Sequence, residues 1–314
     1  MSILSEPHFH NETAALARLE AIVWPQGAYC PRCGGFDRIT PVKGGRAGLR
    51  RCGPCKREFT VTVGTIFERS HVKLHKWFQA AHLLASSKKG FSAHQLHRTL
   101  KVTYKTAWFM EHRLREAMRE LHPVELGGEG KTVEADTTFV GGKEKNKHAR
   151  KRNPKNIGGM GKEIVHTLFE RGGRARSDHI ANISGKTLRP VVMSQVNRKS
   201  AFMTDTAGGY LHLGKQFARH EMVDHGAGEY VRGDAHSNTV ESYFATFKRG
   251  IVGVYHNVSA AHLKRYLGEF DFRHNERSAL GINDEVRADR LIRGIVGKRL
   301  TYRDSSAAGA TASS

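Results

Sequence analysis

Four cysteines constrain this chain more than any other feature: Cys30-x2-Cys33 and Cys52-x2-Cys55, with eighteen residues between the pairs. Two close pairs separated by ~15–20 residues form a four-thiolate zinc pattern. In a reducing compartment, thiolates on a metal explain such pairs better than disulfides do. Each pair sits in a tight turn, CPRCGG or CGPC, and short alternating segments follow at 38–42 and 59–63. One structural Zn²⁺ held by Cys30, Cys33, Cys52 and Cys55 in a zinc ribbon is therefore expected. A rival set, Cys52 and Cys55 with His71 and His75, also has finger spacing but leaves Cys30 and Cys33 unexplained.

The charge narrows the partner. Lysine and arginine number 51 against 30 acids, leaving +21 on 314 residues. Such an excess repels itself unless a polyanion neutralises it, which favours nucleic acid over an anionic membrane surface. No apolar run approaches the ~18 residues of a spanning helix. The opening MSILSEPHFHNE lacks the basic and apolar regions of a signal peptide. A soluble cytoplasmic protein, associated with the nucleoid, with DNA as partner and no membrane, is the expectation. Residues 41–57 carry Lys43, Arg46, Arg50, Arg51, Lys56 and Arg57 without an acid. Arg50, Arg51, Lys56 and Arg57 are the ribbon's candidate DNA contacts.

An apolar fraction of 39% supports a packed core, and the length suits about two domains. Helical spacing runs over 11–22, then over 74–85, where Leu74, Trp77, Phe78, Ala81 and Leu84 share a face. Ser92 can cap AHQLHRTL, and Thr103 can cap the longer YKTAWFMEHRLREAMREL, whose face is Ala107, Met110, Leu114 and Met118. Short helix, tight link and longer helix make a helix-turn-helix outline, with Thr103, Tyr104, Lys105 and Arg113 as candidate contacts. A plain helical bundle is the competing reading.

After Pro123 and the linker GGEG the pattern changes to strand alternation over 131–140. Residues 143–155 hold seven Lys/Arg against one Glu, either a solvated insertion or a phosphate-gripping loop. Strands are expected at 163–169, 179–183 and 200–204. Helices follow at 238–251, 259–274 and 284–297, and 305–314 is expected to be disordered.

Three carboxylates stand where solvation does not explain them. Asp136 lies within an apolar strand, sharing a face with Glu134 and Thr138. Asp205 ends the apolar segment AFMTD. Glu241 is one step off the stripe Val240, Tyr243, Phe244, Phe247, on the side of its helix that also carries Asn238 and Lys248. Carboxylates converging there would repel one another unless cations intervened, and their oxygens suit Mg²⁺ or Mn²⁺. Two such ions would serve in-line attack on phosphorus.

The chain resembles the DDE transposases of bacterial insertion sequences, in the branch with an N-terminal zinc ribbon (the insertion-sequence 1595 family, with an ISXO-like transposase domain). The resembling segments are CPRC with CGPC, REFTVTVGTIFERSHVKLHKWF, VEADTTFVGG, the TD of 204–205, EYVRGDAHSNTVESYFATFKRG and YHNVSAAHLKRYLGEFDFRHN. They cover most of residues 28–275. The resemblance implies an α/β (α+β) fold: a ribonuclease-H-like catalytic domain preceded by a zinc ribbon and a helix-turn-helix-like region. It implies metal-dependent cleavage at transposon ends and joining of the freed 3′ ends to target DNA. Matched by position, the first two acids fall on Asp136 and Asp205, and Glu241 follows Asp205 by 36 residues. Lys248 matches the phosphate-binding basic residue seven positions later. Members carry Asn or Glu at the third position, and this chain offers Asn238 and Glu241. Glu241 is favoured for its charge and spacing, with Asn238 a helix cap or further ligand and Asp234 the fallback acid; His236 is a possible supporting donor.

The expected organisation is 11–65, N-terminal helix and ribbon; 72–121, helical DNA-binding region; 131–280, catalytic domain; and 281–314, C-terminal helix and tail. The expected function is an insertion-sequence transposase acting as a homodimer or larger assembly on DNA. The alternatives are a non-catalytic zinc-ribbon regulator and a nuclease of the same fold that cuts without joining.

Overall fold

The computed structural model describes residues 2–301 apart from 207, 225, 226 and 230; the tail expected at 305–314 lies outside them. Along the described chain the helices are α1 (Glu12–Val23), α2 (Leu74–Ser86), α3 (Ala93–Leu100), α4 (Tyr104–Met118), α5 (Gly185–Met193), α6 (Asn238–Gly250), α7 (Ala260–Asn275) and α8 (Asp284–Arg293). The strands are β1 (Ile39–Pro41), β2 (Arg50–Cys52), β3 (Glu58–Phe59), β4 (Thr132–Val140), β5 (Glu163–Glu170), β6 (Ala175–Ile180), β7 (Ala201–Asp205) and β8 (Arg219–Val223). They form two compact units. One joins the residues up to Arg119 with those from Arg277 onward, and the other is Glu120–Glu276.

In the first unit, β1, β2 and β3 make a small antiparallel sheet. The strand expected over 59–63 ends at Phe59. Thr60 and Thr62 bond each other through their hydroxyls, and the Val63 N–H returns to Thr60 O, so the chain turns away. Helix starts follow their capping residues. Asn11 accepts from Ala14 N–H, Ser92 and Gln95 form a reciprocal capping box, and Thr103 accepts from Thr106 N–H. Between α3 and α4, Lys101 takes the left-handed conformation at φ 49°, which closes α3 within a three-residue link. Helix α8 belongs to this unit. Its Leu291 and Ile292 are buried, and Ile295 O and Gly297 N–H bond Ile66 and Gly64.

The second unit is built on a five-stranded sheet in the order β6-β5-β4-β7-β8. Strands β4, β5 and β6 form an antiparallel meander, and β7 and β8 add in parallel on the other side of β4. This is the ribonuclease-H-like order. Alternation sends Val133 and Ala135 into a core with Leu188 and Val192 of α5 and Phe202 of β7. On the opposite face, Val140, Val165 and Phe169 meet Phe244 and Phe247 of α6 and Leu267 of α7. Each such buried side chain contributes about 1.5–3 kcal/mol. Phe247, with no exposed surface, would cost about 3–5 kcal/mol if cut to alanine.

Three departures from the sequence reading have local causes. Gly173 N–H returns to Glu170 O in a tight turn, so β6 starts at Ala175 rather than at 179. Helix α5 was not anticipated because Pro190 sits inside it, where proline removes a donor; burial of Leu188 and Val192 offsets that cost. Strand β8, RHEMV, is a polar edge strand without apolar alternation.

Candidate active site and metal-binding residues

All four cysteine sulfurs lie within 4.8 Å of one another. Cys30 Sγ is 3.7 Å from Cys55 Sγ, and Cys33 Sγ is 3.7 Å from Cys52 Sγ. A tetrahedron with Zn–S bonds of ~2.3 Å has edges of about 3.8 Å, so the quartet fits Zn²⁺ as it stands. Two turns create it: Gly34 N–H bonds Cys30 O, and Lys56 N–H bonds Cys52 O. Gly34 and Lys56 both take positive φ, 73° and 59°. Burial would raise the Cys30 thiol, but N–H groups of Arg32 and Cys33 and the neighbouring thiols bring its pKa down to about 7; at Cys52 the Cys55 N–H lowers the pKa, but burial and the neighbouring thiols push it up to about 12. His75 is held 3.0 Å from Glu12 Oε2, outside the quartet, so the rival finger set is not assembled.

In the second unit, Asp136 lies midway along β4, and Asp205 ends the parallel neighbour β7. Ala135 pairs with Thr204, which sets the next residues, Asp136 and Asp205, side by side. Glu241 stands in the first turn of α6. Asp136 is the group on which the charges of Asp205, Glu241 and Lys248 act, although among the described residues only the four cysteines stand close enough together to hold a metal ion as they are. Burial raises the Asp136 pKa from 3.8 to about 7; the Thr137 N–H donated to its Oδ1 at 2.6 Å opposes this. That net value of about 7 includes the charges of Asp205 and Glu241, which raise it, and of Lys248, which lowers it. Asp205, Glu241 and Lys248 thus act on the one carboxyl group of Asp136. Glu241 Oε1 also accepts from Ser237 Oγ at 3.2 Å. Lys248 is exposed, about two turns along α6.

Asn238 is the first residue of α6 and is exposed; the N-cap position belongs to Ser237, which corrects the capping role considered for Asn238. Asp234 accepts two bonds from Arg219, at 2.7 and 2.6 Å, which hold its carboxyl below the usual range. It is committed to that pair.

Glu134 is the residue that sequence reasoning passed over. It is fully buried on the same face as Asp136. Its carboxylate accepts from Thr239 N–H and Val240 N–H at 3.0 Å each, and from Thr239 Oγ1 at 2.8 Å. Ser237 gives α6 no side-chain cap, so Glu134 satisfies the helix's first N–H groups from the neighbouring strand, where an anion is favoured. Arg171 completes the anchor, donating to Glu134 at 2.6 Å and to the carbonyls of Asp234 and His236. His236 Nδ1 lies 3.3 Å from the same carboxylate. The available signal was a second acid, two residues before Asp136, in an apolar strand.

The basic candidates divide by environment. Arg51, Lys56 and Arg57 are exposed on the ribbon. Arg50 is instead a clamp: it bonds Glu20 at 2.9 Å and lies over Trp24, 5.4 Å from the ring centre. Thr103 is used as a cap, Tyr104 is exposed and stacks on His94 at 4.4 Å, and Lys105 is exposed. Arg113 is 9% exposed, lies over Phe109 and donates to Leu300 O. It follows Met110 by three positions, on the buried stripe of α4. Arg50 and Arg113 therefore leave the set of available DNA contacts.

No helix among the described residues is long and apolar enough to cross a membrane. Residues 10–58 match the transposase zinc-ribbon domain, and residues 125–275 match the ISXO2-like transposase domain. Over 284 residues the chain is 31% identical to an uncharacterized protein in transposable element ISH50 of Halobacterium salinarum, covering 84% of this chain and 91% of that protein. With that overlap and both domain matches in order, the chain belongs to the ISXO2-like transposases that carry an N-terminal transposase zinc ribbon.

Proposed function

We propose that this transposase binds the ends of its own mobile element and catalyses DNA strand cleavage and transfer at Asp136, Asp205 and Glu241. The observation that carries the reading is the shared field at Asp136, where two further carboxylates and one lysine act on a buried carboxyl group. Two Mg²⁺ or Mn²⁺ ions, when bound, supply activation of water or a 3′-hydroxyl and stabilise the leaving oxygen. Asp136, Asp205 and Glu241 would hold them, and mutual repulsion of the acids would fall on binding. Lys248 grips a phosphate beside the acids, and Asn238 is available as a further polar ligand. Glu134 and Arg171 keep the start of α6, and with it Glu241, against β4.

The ribbon's Arg51, Lys56 and Arg57, with Tyr104 and Lys105 of α4, bind DNA. The protein works on the nucleoid in the cytoplasm, and pairing two element ends calls for a dimer or larger assembly. A purely regulatory DNA-binding protein is disfavoured because burying Asp136 among like charges lowers stability without serving DNA binding.

The test is cleavage and joining of labelled duplexes from the DNA flanking this chain's gene, with and without Mg²⁺. A metal-dependent joined product, lost in Asp136→Asn and Asp205→Asn while DNA binding persists, is expected. Cutting without joining would indicate a nuclease, and unchanged cutting by either variant would refute the site.

A further inference from the structure

We propose that the loop joining β4 to β5 is a DNA clamp with an apolar wedge: its lysines and arginines grip duplex phosphates, and Ile157 and Met160 insert between base pairs beside the acidic cluster. The inference rests on the transposase reading and adds a surface to it.

Val140 and Glu163 still pair across the sheet, so residues 141–162 are an insertion at the tip of a hairpin. Hairpin loops usually take 2–5 residues, and a much longer one commonly carries function. This loop is organised from within. Glu144 accepts from Asn153 N–H at 2.7 Å, Asn156 Nδ2 at 3.3 Å and Lys147 Nζ at 2.7 Å. Arg152 donates to the carbonyls of Lys145 and Lys147. The one acid is thereby used in folding the loop, while Lys143, Lys145, Arg150, Lys151 and Lys155 remain exposed.

The tip has its own construction. Phe139 packs against Gly159, where an added Cβ would lie 2.4 Å from a ring carbon. Gly158 and Gly161 take φ of 63° and 71°, conformations that glycine adopts without strain. This tight turn carries Ile157 and Met160 at 76% and 62% exposure. Two large apolar side chains held in water on a cationic loop are unfavourable unless a partner covers them. Duplex DNA satisfies both halves: cations displace counterions from phosphates, and apolar side chains wedge into base steps. An anionic membrane would satisfy them too. The transposase reading favours DNA; the loop's root lies about 10 Å along the strand from Asp136, with Phe139 on the opposite face of the sheet.

The experiment uses the full chain with its zinc and duplexes from the DNA flanking its gene, with 2-aminopurine placed at successive steps. Wild type should raise the probe's fluorescence at one step near the cut. Ile157→Ser with Met160→Ser should keep affinity within roughly three-fold, lose that rise and cut roughly ten-fold slower, and an unpaired base at the step should restore cutting. Replacing Lys143, Lys151 and Lys155 by glutamine should weaken binding to all duplexes and lower the salt slope by about 3. An unaltered melting temperature checks folding. The wedge is refuted if wild type binds and cuts without unstacking any base, or if the rise survives in the serine variant. It is refuted equally if the two apolar residues govern binding to phosphatidylserine vesicles and not the DNA signal. Unstacking without any cleavage would instead sink the transposase reading and leave the clamp standing.

Discussion

Asp136→Asn should stabilise the protein, and by an amount that depends on pH and on added metal. A rise in pKa from 3.8 to about 7 corresponds to about 4 kcal/mol at ~1.36 kcal/mol per unit. Its sign follows from linkage. Below the unfolded-state value the carboxyl is protonated in both states and carries no penalty. Between 3.8 and about 7 the unfolded chain gives up a proton that the folded state still holds, so stability falls as pH rises, and the loss is complete once the folded carboxyl also ionises above about 7. The asparagine cannot ionise, so its advantage should be near zero at pH 4 and about 2–4 kcal/mol at pH 8, after allowance for relaxation around the charge. Trp24, Trp77 and Trp108 all lie in the first unit, so tryptophan emission would not follow this change. Amide exchange along β4, with zinc retained and no Mg²⁺ added, would. Adding Mg²⁺ should stabilise wild type and not the variant. If Asp136→Asn is no more protected than wild type at pH 8, or if its advantage grows towards pH 4, the reasoning about the cluster is wrong.

Two further predictions concern the supports. Glu134→Ala should cost about 2–4 kcal/mol, because it leaves the first N–H groups of α6 without their acceptor and takes the carboxylate partner from Arg171; Glu134→Gln, which keeps one acceptor, should cost less and lower cleavage more than DNA affinity. Urea unfolding by far-UV circular dichroism, alongside cleavage rates, checks both, and equal losses of binding and cleavage would argue against an anchor that positions Glu241. Removing zinc, or Cys52→Ser, should unfold the ribbon and weaken end binding while leaving β4 amide protection unchanged. One zinc per chain by metal analysis is the companion expectation, and end binding that survives complete zinc removal would overturn the ribbon's role.

Features with a local period were legible in the sequence. The cysteine spacing, the caps at Asn11, Ser92 and Thr103, and the alternation of β4 each follow from neighbours within a few residues. Helix α5 was hidden by Pro190, whose cost is offset only by tertiary burial, and β8 by its charged edge. A basic residue looks the same in sequence whether it faces water or a partner: the pattern offers Arg50 and Arg113 as DNA contacts, yet Trp24 with Glu20 and Phe109 with Leu300 hold them. Glu134 shows in sequence as a second acid in an apolar strand, but its role does not. Its partners Thr239 and Val240 lie 105 and 106 residues away, and no local pattern reports a helix capped from a strand so distant.

The pairing of the first 119 residues with those after 276 has a consequence for synthesis. The unit that holds the zinc ribbon is interrupted by the second unit, so its last helix, α8, leaves the ribosome after every residue of the five-stranded sheet has emerged. The sheet can close while the ribbon's unit still lacks the helix bearing Leu291 and Ile292. Nascent chains therefore close the sheet that carries Asp136 and Asp205 before the ribbon's unit is whole, and a chain truncated before α8 would have a closed sheet and a first unit whose core lacks Leu291 and Ile292.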